Sequence, residues 1–123
     1  MSNDLLCDIF KTIFESILLV EERFLNIKQP VDFVSAPQGV ILLDAINMRL
    51  QTIGEQLGKI YKTNPQFLDN YPSIEWKNII DLRNIISHHY EKVDYEIIFE
   101  ICKEHIPILK KEIGKILFEL KCA

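Results

Sequence analysis

The chain has 123 residues, 48% of them hydrophobic and 26% charged, with four glycines and five prolines. This composition excludes disordered, collagen-like and low-complexity classes, and it predicts one domain, residues 1–123, around one core. The net charge is −4, from 14 Lys and Arg against 18 Asp and Glu. A nucleic-acid binder held by charge alone needs a basic excess, so any such contact is expected at a local site.

Helical periodicity dominates the chain. Leu6, Phe10, Ile13, Ile17, Val20, Phe24 and Ile27 recur at spacings of four and three, one apolar stripe on a helix. Ser2 or Asn3 can cap it, and Gln29-Pro30 ends it. Residues 31–36 read as a short connection. A second helix starts near Pro37, with the stripe Leu43, Ile46, Leu50, Ile53, Leu57 and Ile60, and stops at Thr63-Asn64-Pro65. Val40, Ile41, Leu42, Ala45 and Met48 widen its apolar surface, which predicts cover on more than one face. A loop then runs to about Pro72.

A third helix is expected after Ser73, carrying Ile74, Trp76, Ile79, Ile80, Leu82, Ile85 and Ile86, with a break around His88 to Val93. Asp94 can cap a fourth, whose stripe is Ile98, Cys102, Ile106, Leu109, Ile113, Ile116 and Leu120. Pro107 lies inside it and should kink or split it. The expected fold is therefore all-α, an antiparallel bundle of four long helices. Three helices of about 25 residues make it elongated and leave apolar surface for a second copy, so a homodimer is expected.

Cys7, Cys102 and Cys122 are odd in number and widely spaced, which predicts reduced thiols in a cytoplasmic protein. The first residues, Met1-Ser2-Asn3-Asp4, carry no signal-peptide pattern, and no apolar run reaches membrane-span length. Neither a metal-ligand spacing nor a phosphate-binding glycine loop occurs, so no metal and no cofactor are expected.

Two places could carry chemistry. Gly54 and Gly58 share one face of the second helix; close helix packing accounts for them, while neighbouring Glu55 could face a site. The densest polar cluster is Asp81 to Lys92, which holds Arg83, Asn84, His88, His89 and Tyr90. On a straight helix Arg83 and His88 lie about 140° apart, so they converge only if the helix ends or deforms between them. An arginine fork matches phosphate oxygens, and an imidazole exchanges a proton near neutrality. RNA brings its own nucleophile, the ribose 2′-hydroxyl. One histidine per chain is one short of a base and an acid, and a symmetric dimer would supply both. His105, beside Ile106-Pro107, reads as structural, and a solvated helix end is the plain alternative for Arg83 and His88.

Arg83 to Tyr90 spells R-x-x-x-x-H-x-Y. It resembles the signature of the HEPN superfamily, in its HepT-like branch of small helical ribonuclease toxins. Ile53-Gly54-Glu55, the stretch Tyr71 to Asn84, and Ile106-Pro107-Ile108-Leu109 resemble further family elements, so the likeness spans nearly the whole chain. The resemblance implies a homodimer with a composite cleft and metal-independent endoribonuclease activity. In it, His88 transfers protons, Arg83 holds the scissile phosphate and Asn84 orients the site. It also implies a nucleotidyltransferase antitoxin of the MNT type, which silences such toxins by adenylylating the motif tyrosine, here Tyr90. His89 departs from the small glycine common at that place and crowds the cleft or adds a donor. Two other readings stay open: a non-catalytic dimeric partner subunit of a nucleotidyltransferase, and a bundle in which Arg83 and His88 hold a mononucleotide.

Overall fold

Ser2 opens the first helix, its Oγ accepting the Leu5 N–H at 3.2 Å, and α1 runs Asn3–Phe24. The computed structural model describes the backbone of residues 1–88 and 94–123, and the side chains of all of these except residues 83–88. A 3₁₀ turn, Pro30–Phe33, follows α1; α2 is Pro37–Thr63, α3 the short Pro65–Leu68, and α4 Trp76–His88. The last long helix has three parts: α5 (Tyr95–Glu100), a π-turn (Ile101–His105) and α6 (Ile106–Glu119). No strand occurs among the described residues, and the bundle is all-α.

The predicted stripes form the core. Phe10, Ile13, Ile17 and Val20 of α1, Ile46, Leu57 and Ile60 of α2, and Ile98, Ile113 and Ile116 of the last helix have no exposed surface. Each such side chain contributes roughly 1.5–3 kcal/mol through burial. The helices run antiparallel. Arg23 of α1 donates from Nη1 to the Ala45 carbonyl of α2 at 3.3 Å, near the turn that joins them. At the two ends of the α1–α6 contact, Asn3 Nδ2 donates to the Leu120 carbonyl at 3.2 Å, and Lys110 pairs with Glu21 at 2.9 Å. The widened apolar surface of α2 is covered only in part among the described residues: Leu42 packs against the core, while Val40, Ile41 and Met48 remain 42%, 59% and 67% exposed.

Two local features, the 30–33 turn and the cysteines, depart from the sequence-based expectation. Residues 30–33 are not plain connection. Asp32 Oδ2 accepts the backbone N–H groups of Lys28 and Gln29 at 2.8 and 3.0 Å, folding the link into a turn that buries Phe33 against Phe24. Gly39 makes this possible, since a Cβ there would run into the Asp32 carbonyl oxygen and the Phe33 backbone. Gly58 lacks that role; its Cβ would stand 4.0 Å from Ile80 Cγ2, an ordinary contact.

As expected, the last helix is divided near Pro107: α6 starts at Ile106, and a π-turn precedes it. The Ile106 N–H reaches back five residues to the Ile101 carbonyl. Proline has no N–H, and its ring would strike the carbonyl four residues earlier in an α-helix. The wider turn accommodates that ring.

The cysteines are not all reduced thiols. Cys7 and Cys122 form a disulfide with a Cα–Cα distance of 5.6 Å, while Cys102 is free and buried. The pair is far apart in sequence but adjacent in space, because antiparallel α1 and α6 bring the two ends of the chain together.

One polar contact ties the loop before α4 to α6: the Tyr71 hydroxyl donates to Glu119 Oε1 at 2.7 Å. Burial and this bond push the Tyr71 phenol up to about 12. An unfolded phenol titrates near 10. The folded state therefore keeps the proton over a range where the unfolded state has lost it. The stabilisation is fully present below about pH 10 and is lost as pH rises towards about 12. Burial also pushes the Cys102 thiol up to about 12, from an ordinary value near 9, so its contribution falls in the same direction. Thermal melts of Tyr71→Phe from pH 9 to 12 should show a shallower alkaline decline than the parent chain. An identical slope would mean that the phenol contributes nothing.

Candidate active site

The candidate site lies on α4, which is anchored at its N-terminal half. Trp76 is buried, and its indole Nε1 donates to the Tyr71 carbonyl at 3.0 Å. That bond explains why α4 starts at Trp76 rather than just after Ser73. Ile80 packs towards Gly58, so α4 lies along α2. Asn78 Nδ2 donates to Glu75 Oε2 at 3.2 Å, on the exposed side of the first turn.

Backbone geometry then constrains the motif. Positions 83, 84 and 88 all belong to α4, which is α-helical from Trp76 through His88. No deformation intervenes between Arg83 and His88, so about 140° separates them around the helix axis. The side chains of Arg83, Asn84 and His88 lie outside what the structure describes. His89 and Tyr90 lie outside the described residues, as does the break expected around His88 to Val93. Glu55 is on α2 and exposed, one residue beyond buried Gly54.

Beside α4 opens a cleft of about 670 Å³, with the last helix as its other wall. The α4 side carries Asn78, Ile79, Asp81 and Leu82, with Ser73, Ile74 and Glu75 just before it. The other wall carries Ile101, His105, Ile108 and Leu109. His105, which reads as structural in the sequence, is instead exposed, at the end of the π-turn on the cleft wall. Its only sequence signal is Pro107 two residues on, which forces the π-turn. Among the described residues no group of three His, Cys, Asp or Glu side chains is placed to hold a metal ion, and no helix is long and apolar enough to cross a membrane.

A family model described as ribonuclease HepT-like matches residues 13–116, from α1 through α6 and across the whole motif. The chain belongs to the HepT-like ribonuclease family of the HEPN superfamily. Among its relatives is a Methanocaldococcus jannaschii protein named "Putative RNase MJ0125", 30% identical over 90% of this chain and 93% of its own length. "Putative RNase TTE0752" of Caldanaerobacter subterraneus is 34% identical over 70% of this chain and 71% of its own. A longer M. jannaschii relative, "Gamma-glutamylcyclotransferase and putative RNase MJ0434", is 36% identical over 88% of this chain; the chain spans about half of that protein. No solved structure matches this HepT-like chain at a significant level.

Proposed function

We propose that this chain is a metal-independent endoribonuclease, the toxin of a toxin–antitoxin pair, acting as a homodimer with one composite cleft. The observation that carries this reading is the position of Arg83 and His88, five residues apart on one unbroken helix of a HepT-like chain. Five residues of ideal helix turn through about 140°, and a twofold mate would supply the complement. The uncovered apolar residues of α2, Ile41 and Met48 foremost, support such a mate.

The chemistry needs no further reagent. His88 accepts the 2′-hydroxyl proton, and O2′ attacks phosphorus. The P–O5′ bond breaks, and the leaving oxygen takes a proton from His88 of the partner subunit. Arg83 holds the non-bridging oxygens as negative charge builds on them, and Asn84 orients the pair. The products are a 2′,3′-cyclic phosphate and a 5′-hydroxyl. A nucleotidyltransferase antitoxin would silence the site by joining AMP to Tyr90, whose added phosphate repels RNA and blocks the imidazole.

Purified chain incubated with RNA in excess chelator should yield fragments with cyclic phosphate ends. Intact RNA under all conditions would overturn the nuclease reading. The net charge of −4 favours the second reading, a non-catalytic helical subunit of a nucleotidyltransferase. That protein would bind its partner and cut nothing.

A further inference from the structure

We propose that the cleft between α4 and the last helix is a base-reading subsite that takes a guanine of the RNA next to the scissile phosphate; this rests on the nuclease reading. Its place comes first. The α4 wall of the cleft includes Asp81 and Leu82, and the next residue of the same helix is Arg83. At about 1.5 Å of rise and 100° per residue, Ile79 of the same wall is separated from Arg83 by about 6 Å along the axis and only about 40° around it. A phosphate held at Arg83 would therefore set the adjoining nucleotide beside the cleft.

The chemistry of the walls selects the occupant. About 670 Å³ is within the range of sites that enclose a small planar ligand. Ile79, Leu82, Ile101 and Ile108 form apolar surfaces against which a flat ring can lie. The polar groups are mainly acceptors: the Asp81 and Glu75 carboxylates, and the Asn78 side-chain carbonyl, whose amide already donates to Glu75. Carboxylates repel phosphate, so the cleft does not suit the backbone of RNA. They accept from N–H groups, and guanine alone presents a ring N–H and an exocyclic amine side by side on its pairing edge. His105, on the opposite wall, can stack on the ring or bond its other edge.

Two measurements test this. In the first, cleavage sites on a random-sequence RNA are mapped from their ends for the wild type, Asp81→Asn and His105→Ala. Wild type should cut beside guanine about tenfold or more over the other bases, and Asp81→Asn should collapse that ratio. Even cutting across the four bases, or a ratio unchanged by Asp81→Asn, would overturn the proposal while leaving the nuclease reading intact. In the second, guanosine and cytidine monophosphates are titrated separately into the full chain, with the His105 and Asn78 side-chain resonances followed by NMR. Saturable shifts with the guanine nucleotide alone, lost in Asp81→Asn, support the subsite even if no RNA is cut, in which case the nuclease reading alone fails. No shift at either residue, or equal shifts with both nucleotides, would overturn it.

Discussion

Alanine at His88 should lower the rate of RNA cleavage by about 10² to 10⁴, the usual contribution of a positioned acid–base group. Arg83→Ala should cost about 10² to 10³ through lost stabilisation of the phosphorane. Arg83→Lys should rescue only part of that, because an ammonium cannot bind two phosphate oxygens as a fork. Mixing tests the composite site directly. With a ninefold excess of His88→Ala chains and free exchange, a wild-type chain meets another in only about one pair in ten. If each cut needs both histidines, activity per wild-type chain should drop about tenfold. If each protomer is complete, it should not change. Equal mixing behaviour would discard the shared cleft, and cleavage unaffected by either alanine would discard the assigned residues.

The reason to expect sharing is the helix itself. The sequence shows an arginine and a histidine five apart, and it leaves open whether the helix deforms to bring them together. The backbone stays α-helical through His88, and the proposal places the convergence in a second copy. Other elements were legible because their signals are local. Pro37, the Asn64-Pro65 stop and the Asp94 cap, which accepts the Glu96 N–H at 2.8 Å, mark helix ends from chemistry within a few residues. The apolar stripes were legible because burial follows the helical period. What was hidden depends on distant partners. The Gly39 requirement arises from the Asp32 and Phe33 backbone folding over it. The start of α4 depends on an indole reaching the Tyr71 carbonyl. His105 gained its place on the cleft wall from the packing of two helices, and its own neighbours in sequence say nothing of α4.

The cysteine pair is the clearest case of such long-range information, and opening it should produce the largest change in stability. Cys7 and Cys122 are 115 residues apart, so the bond closes almost the entire chain into one loop. In the chain-entropy account, a loop of about 100 residues is stabilised by about 4.7 kcal/mol through restriction of the unfolded state. That is a large share of the roughly 5–15 kcal/mol that a domain possesses. Cys7→Ser, Cys122→Ser and the reduced parent chain should therefore all unfold at much lower urea than the oxidised parent. All three should retain the native helical signal without urea, since the Asn3–Leu120 hydrogen bond and the core between α1 and α6 persist without the bond. Cys102 should not rescue or scramble the pair. It is buried, and its thiol, pushed up to about 12, supplies almost no thiolate at neutral pH. Coincident urea midpoints for oxidised and reduced chains would show that the ends are held together equally well by packing alone. A large gap would make the redox state of the surroundings a direct control on the stability of the fold.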